Sequence, residues 1–138
     1  MRLLAFLFVL LLSACATSPM PVEQANAVPS DRVYWNVRPA QARTAKVTFV
    51  RDTGFLGGGV LFHLSINGQK AASLDTGERV SFEIDPGEYV LGFQPTDAFG
   101  TMTGYTIDQD IKPGQQYFYR LLMEGNTFQH RIQRFIPN

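Results

Sequence analysis

The sequence contains little of what enzymes and metal sites are usually built from. Its 138 residues include one cysteine and two histidines, which excludes a disulfide framework within the chain and a cysteine-rich zinc site. The 12 basic residues balance the 12 acidic ones, whereas nucleic-acid-binding domains carry a clear excess of lysine and arginine. We therefore expect no nucleic-acid partner.

Long apolar runs are also scarce, and the run near the start is too short to cross a bilayer. Leu3–Leu12 contains no polar residue, but a transmembrane helix needs about 20 apolar residues. The run follows Met1 and the basic Arg2 and precedes the small residues Ser13 and Ala14, which is the order of segments in a secretory signal peptide. A buried core helix is disfavoured, because the run offers no polar face to solvent.

The single cysteine stands where this signal ends. Leu12-Ser13-Ala14-Cys15 resembles the lipobox of bacterial lipoproteins. The resemblance implies that residues 1–14 are a lipoprotein signal peptide, that Cys15 is lipidated on sulfur, and that its new amine is acylated after cleavage. An alanine follows Cys15 where an aspartate would imply the inner membrane. We therefore expect a lipid anchor in the outer membrane of a bacterial cell envelope, with the protein facing the periplasm. Several acyl chains anchor a protein durably.

Residues 15–44 lack hydrophobic periodicity and contain four of the eight prolines. This composition predicts a lipidated N-terminus followed by a flexible tether. A coil of this length spans roughly 30 Å root-mean-square, which is enough to hold a domain clear of the lipid headgroups. Within the tether, the alternating stretch Asp31–Val37 predicts that Trp35 packs on the edge of the domain.

From Ala45 onward, apolar and polar residues alternate with the period of a β-strand. Asn67-Gly68 is the strongest short hairpin signal in the chain, and turn signals recur at the spacing of about 8–12 residues that is typical of a sandwich or barrel. We therefore predict an all-β domain over residues 45–138, an about eight-stranded, mainly antiparallel two-sheet sandwich of immunoglobulin-like or prealbumin-like type. The predicted strands are Lys46–Arg51, Val60–Ile66, Gln69–Leu74, Arg79–Ile84, Glu88–Phe93, Thr103–Ile111, Gln116–Met123 and Thr127–Ile136.

The stretch LSINGQKAASLDTGERVSFEIDPGEYVLGF, from Leu64 to Phe93, resembles small PEGA-like β-sandwich domains found in bacterial lipoprotein families of unknown function. The shared pattern is a strand, Asn-Gly, a small strand, a glycine-containing turn, another strand and a Pro-Gly-Glu-Tyr turn, here Pro86 to Tyr89. The resemblance extends over about Ala45–Glu124 and consists mostly of turn residues. It implies the fold and says little about function, because one fold hosts many functions.

The two longest connections between predicted strands carry large apolar residues, which often mark contact with a partner. If consecutive strands run antiparallel, both connections lie at one end of the sandwich, while the tether enters the first strand at the other end. The sequence therefore predicts that these loops point away from the anchor and bind an envelope protein or glycan. The candidate partner-binding residues are Phe55, Leu56, Phe99 and Met102.

Catalytic signals are weak. The carboxylates of the central region lie in or beside predicted turns, where turn formation explains them, and we expect no catalytic residue, no metal site and no cofactor. The function predicted is a non-enzymatic binding or structural accessory module of the cell envelope. The alternative is a small metal-binding or enzymatic accessory protein that uses His63 or His130, although surface or half-buried positions in the sheet explain both histidines better.

Overall fold

The computed structural model describes residues 18–54, 59–96, 103–124 and 129–137. The predicted signal peptide, the lipidation site Cys15 and the loop residues Phe55, Leu56, Phe99 and Met102 lie outside the described residues, so those predictions stay predictions. The described residues form one 3-10 helix, Ser30–Arg32, and nine strands. The strands are β1 (Asn26–Ala27), β2 (Ala45–Arg51), β3 (Phe62–Ile66), β4 (Gln69–Leu74), β5 (Glu78–Ile84), β6 (Gly87–Pro95), β7 (Tyr105–Ile111), β8 (Gln116–Glu124) and β9 (Gln129–Phe135).

The strands form two sheets that pack as a sandwich. One sheet has the order β1-β5-β2-β8-β9 and the other the order β4-β3-β6-β7. Neighbouring strands are antiparallel except in the pairs β1–β5 and β2–β8. The predicted all-β, mainly antiparallel two-sheet sandwich is confirmed. All eight predicted strands are present, and β1 is a ninth strand that the sequence does not predict.

The core lies between the sheets, because each strand turns alternate residues inward. In the five-stranded sheet, the ring of Phe49 stacks on that of Tyr119 with centroids 5.5 Å apart. In the four-stranded sheet, Phe62 stacks on Phe93 with centroids 4.9 Å apart. All four side chains are buried, and such aromatic pairs add to the stabilisation that comes from burying their area.

The hairpin between β3 and β4 turns at Asn67-Gly68, as predicted. Both residues have positive φ angles, 50° for Asn67 and 75° for Gly68, which a type I′ turn requires at its two central positions. The Asn67 carboxamide oxygen also accepts a hydrogen bond of 2.8 Å from the amide of Val90 in the neighbouring strand β6. The turn therefore sets the register of β3, β4 and β6 together.

Residues 18–44, which we call the strap, lie along the sandwich. β1 pairs in parallel with β5 at the edge of one sheet, Val28 belongs to the core cluster, and Val33 forms an antiparallel bridge with Ala72 of β4 in the other sheet. The strap thus crosses one open side of the sandwich. The structure differs here from the predicted flexible tether, because segments without periodicity of their own bind the edges of both sheets.

The far half of the strap contacts the domain as the sequence predicts. The Trp35 ring packs edge-on against Phe82, with centroids 6.3 Å apart and planes at 63°. Further along, the Asp85 carboxylate accepts hydrogen bonds of 2.8 Å from the amides of Ala40 and Gln41. Contact with the sandwich therefore continues to the start of β2.

The strand ends that flank both long loops lie at one end of the sandwich, which we call the loop end. The strap also begins there, because Ser18 and Thr53 exchange backbone hydrogen bonds of 2.7 and 3.1 Å. The strap then runs the length of the sandwich and enters β2 at the opposite end. Ser18, which follows Cys15 by three residues in the sequence, therefore lies at the loop end and not at the end where β2 begins.

A buried arginine holds the loop end together. The Arg51 side chain points between the sheets, donates hydrogen bonds to the carbonyls of Leu74 (2.8 Å) and Val60, and lies over the Phe62 ring at 3.7 Å. Burial lowers the pKa of Arg51 to about 10, against the opposing effect of two nearby carboxylates. One guanidinium therefore ties together the end of β2, the end of β4 and the approach to β3.

Candidate functional site

The register of the four-stranded sheet places small residues in one row across its outer face. Ser65 of β3 faces Gly92 of β6, and Gly92 faces Thr106 of β7. Lys70 of β4 pairs with Ser65 at the other end of the row. Because alternate residues of a strand share a face, all four positions belong to the outer, solvent side of the sheet.

Larger residues flank this row on both sides. His63 pairs with Gln94 in the row nearer the loop end, and Val90 pairs with Asp108 in the row beyond it. A shallow cavity of about 410 Å³ results, and it crosses the strands rather than following them. We call it the trench; its outward-facing residues are His63, Ser65, Lys70, Gly92, Gln94 and Thr106.

The floor of the trench depends on the absence of a side chain at Gly92. A Cβ atom at this position would lie 2.8 Å from the Ser65 hydroxyl oxygen and 3.0 Å from the Thr106 methyl carbon. Both distances are shorter than normal van der Waals contact, so any other residue would push its neighbours apart or fill the cavity. Glycine therefore keeps the sheet surface open where the two hydroxyl-bearing side chains approach each other.

His63 is held in a fixed orientation at one wall of the trench. Its Nδ1 atom lies 2.7 Å from the Ser73 hydroxyl, and its Nε2 atom is hydrogen-bonded with the Thr96 hydroxyl. Burial, with a smaller effect of the Lys70 charge, lowers the pKa of His63. The imidazole is therefore neutral at pH 7, and both of its nitrogens have hydroxyl partners within the protein.

His130 belongs to β9 of the five-stranded sheet, and its ring contacts the inner side of the four-stranded sheet. Its ring packs edge-on against Phe93 in the core, with centroids 5.9 Å apart, whereas His63 faces outward. Burial lowers the pKa of His130, partly offset by a hydrogen bond with the Thr103 backbone. Because β3 and β6 separate the two imidazoles, His63 and His130 do not converge on one site.

The residues that the structure describes contain no cluster of metal-binding side chains. Among these residues, no three His, Cys, Asp or Glu side chains are grouped so that they could hold one metal ion. The arrangement at the trench offers neutral hydrogen-bonding groups and one lysine, which suit the recognition of a polar ligand.

A second group of polar residues, a buried ion pair bonded to the strap backbone, fixes the start of the strap on the outer face of the five-stranded sheet. The Asp52 carboxylate is almost fully buried and accepts a 3.0 Å hydrogen bond from the Met20 amide. It also forms an ion pair with Arg120, which donates to the Met20 carbonyl at 3.3 Å. Burial raises the pKa of Asp52, and the Met20 and Arg120 hydrogen bonds oppose that effect.

An arginine clamp fixes the strap again where it leaves the five-stranded sheet. Arg32 of the 3-10 helix donates to both carboxylate oxygens of Glu78, at 2.9 and 2.6 Å, and to the Ser73 carbonyl at 3.0 Å. Glu78 also accepts from the Asp75 amide at 2.6 Å. Since Glu78 belongs to β5 and Ser73 to β4, this bidentate pair joins the two sheets through the strap.

In comparisons with known proteins, no protein-family model matches the chain, and no curated protein sequence matches it. Among the described residues, no helix has the length and hydropathy needed to span a bilayer.

The sequence predicts the packing of Trp35 but neither the trench nor the other strap contacts, and it identifies His63 without its surroundings. The trench could be found only from the pairing of three strands, since its small residues are far apart in the chain. One feature of the sequence indicates that the strap is ordered. Its proline-rich segment contains Arg32 and Trp35, whose large side chains are unusual in a free linker.

Proposed function

We propose that the protein is a lipid-anchored bacterial envelope lipoprotein that binds an envelope glycan in the trench and catalyses no reaction. The observation that carries the proposal is the trench itself, a cavity across a sheet face with fixed polar groups on its walls. The lipobox resemblance at Cys15 supports the envelope location, with the anchor in the outer membrane and the domain on the periplasmic side.

The chemistry of the trench favours a hydroxyl-rich ligand. Ser65 and Thr106 bring hydroxyl groups to its floor, and Gln94 brings an amide to one wall. His63 adds the face of its ring to that wall, because its two nitrogens are bonded with Ser73 and Thr96. Lys70 is the charged side chain among the trench residues, and its ammonium lies 4.6 Å from the Tyr34 ring centroid. Sugars present many hydroxyl groups and little net charge, so donors and acceptors of this kind are suited to them.

The anchor is tested at the cysteine. We expect the N-terminal peptide of the mature protein to begin at Cys15 and to carry acyl chains, measured by mass spectrometry of protein purified from membranes. A Cys15→Ser variant should leave the membrane fraction and keep the signal peptide. An unchanged membrane-bound fraction for this variant would refute the anchor.

Ligand binding is tested by titrating the protein with soluble glycan fragments of the bacterial envelope, followed by amide chemical shifts. Shifts should concentrate on β3, β6 and β7. The variant Thr106→Val removes one hydroxyl from the trench with little change of shape and should weaken binding about tenfold, as expected for one lost hydrogen bond. Thr76→Val, in the turn before β5, is the matched control and should bind normally. Binding that leaves the trench amides unshifted, or equal binding by both variants, would contradict the proposal.

A further inference from the structure

The outer face of the five-stranded sheet carries an apolar surface that the trench does not use. A cleft of about 320 Å³ is bordered by strap residues and by the end of β9 with the residues that follow it. The residues that line it are Pro19, Pro21, Val22, Glu23, Arg120, Phe135, Ile136 and Pro137. The Ile136 side chain is 89% exposed. We call these residues the apolar patch: Pro19, Pro21, Val22, Phe135, Ile136 and Pro137.

The apolar patch is rigidly connected to the sheet beneath it. The Phe135 ring contacts Phe118 of β8 with centroids 6.0 Å apart, and the Arg120 guanidinium lies over Phe135 at 4.3 Å. Arg120 also holds Met20 of the strap through a hydrogen bond to its carbonyl. The strap and the C-terminal segment are therefore joined through one arginine, and together they form one surface.

The position of the strap limits how far this surface lies from the predicted anchor. Ser18 is fixed on Thr53 by two backbone hydrogen bonds of 2.7 and 3.1 Å. Only three peptide steps separate Ser18 from Cys15, and these span at most about 11 Å when fully extended. Pro19, the next residue, already belongs to the apolar patch, so acyl chains on Cys15 would enter a bilayer directly beside it.

The charged residues of the two sheets also favour a position of the apolar patch beside a membrane. On β9 the register turns Arg131 to the outer face of the five-stranded sheet, whereas Arg134 lies over the ring of the buried Tyr117 on the inner face. On the opposite sheet, β6 and β7 contain three carboxylates, Glu88, Asp108 and Asp110, and no basic residue. A surface of anionic phospholipids attracts Arg131 on the first sheet and repels the carboxylates of the second.

We propose that the apolar patch is the membrane-contact surface of the domain and lies against the anionic phospholipid bilayer that holds the lipid anchor. This inference rests on the proposed lipid anchoring and adds an orientation to it. The five-stranded sheet faces the bilayer, and the trench on the opposite sheet faces away from it. An exposed isoleucine beside prolines then lies in the interfacial region, where apolar side chains are favoured.

The orientation is tested by site-specific fluorescence on the full lipidated chain. Because lipidation consumes the Cys15 thiol, Ile136→Cys introduces a unique thiol for a polarity-sensitive dye. Asp108→Cys, on the exposed face of the opposite sheet, is the matched control. Both proteins are purified from membranes, labelled and reconstituted into vesicles of phosphatidylethanolamine and phosphatidylglycerol with brominated acyl chains as quencher. We expect the dye at 136 to shift to the blue and to lose about half of its emission, as for a group at interfacial depth, while the dye at 108 keeps its emission.

The outcomes separate the orientation from the anchor. An acylated protein whose dye at 136 is not quenched, or whose dye at 108 is quenched as strongly, overturns the membrane-contact surface and leaves the anchor standing. If mass spectrometry finds Cys15 unmodified, the anchor falls, and the Ile136→Cys protein in a Cys15→Ser background is mixed with the same vesicles at low and high salt. Salt-sensitive quenching at 136 then supports the surface alone, whereas no quenching overturns both.

Discussion

Removal of the Asp52 carboxylate should detach the start of the strap and destabilise the whole domain. In the folded protein the Asp52 side chain is 4% exposed, and the Arg120 side chain with which it is paired is 14% exposed. The carboxylate also accepts the Met20 amide at 3.0 Å. An Asp52→Ala variant therefore loses a hydrogen bond to the strap and leaves a largely buried guanidinium without its counter-charge.

The expected loss of stability follows from the unpaired charge on Arg120. Removing one partner of a buried ion pair destabilises a protein by about 3–5 kcal/mol, because the remaining charge stays buried and uncompensated. Arg120 retains some access to water, which places the expected loss for Asp52→Ala at the lower end, about 3 kcal/mol. For a domain whose total stability is about 5–15 kcal/mol, this change is large.

The assay is urea unfolding followed by tyrosine and tryptophan fluorescence, together with hydrogen exchange of the Met20 amide. Asp52→Ala should lower the unfolding midpoint and speed exchange at Met20. The double variant Asp52→Ala/Arg120→Met should recover much of the loss, because the stranded charge is gone and an apolar stem still covers Phe135. Asp110→Ala is the control, since its ion pair with Lys112 is half exposed to solvent and its removal should leave the midpoint unchanged. The reasoning is refuted if Asp52→Ala loses less than about 1 kcal/mol, or if the double variant is no more stable than the single one.

Three further predictions use the same unfolding assay. The Tyr119 hydroxyl is buried without a hydrogen-bond partner, so Tyr119→Phe should stabilise the protein by about 1 kcal/mol. The Tyr117 hydroxyl makes two hydrogen bonds, so Tyr117→Phe should destabilise it by about the same amount, and equal effects of the two variants would contradict the prediction. Burial lowers the pKa of both His63 and His130, so the unfolded chain binds protons more readily than the folded protein. The free energy of unfolding should therefore fall as the pH drops below about 6.5, and His130→Gln should reduce that pH dependence. A free energy of unfolding that stays constant between pH 7.5 and 5.5 would disprove the prediction. Gly92→Ala should destabilise by about 1 kcal/mol through crowding of the trench floor, and an unchanged midpoint would show that the floor has room for a methyl group.

The fold was predictable wherever a local pattern carried the information. Val80, Phe82 and Ile84 alternate with polar residues in β5, and all three are buried as that alternation requires. Asn67-Gly68 adopts the positive φ angles that its turn type demands. Period and turn chemistry are properties of a few consecutive residues, so one sequence is enough to read them.

The candidate sites depend on contacts between distant parts of the chain, which no local pattern contains. Arg32 binds Glu78 across 46 positions, and Asp52 binds Arg120 across 68. The trench requires the order and register of β3, β6 and β7 before Ser65, Gly92 and Thr106 can be placed side by side. The sequence predicts a flexible tether at the strap for the same reason, since the ordered conformation of the strap comes from the sheet edges that it binds and not from its own composition.

The strap has a further consequence for how crowded copies of the chain behave. Exposed strand edges are templates on which another chain can add a strand and begin to aggregate. On one side of the sandwich, the strap pairs with the first two residues of β5 and bridges Ala72 of β4, so part of each edge is already paired within the molecule. On the other side, β7 carries Asp108 and Asp110, and β9 carries Arg131 and Arg134, and charged edge strands discourage pairing between copies. If the proposed lipid anchor confines the protein to the plane of a bilayer, its local concentration is high, and partly paired or charged edges would then limit pairing between copies.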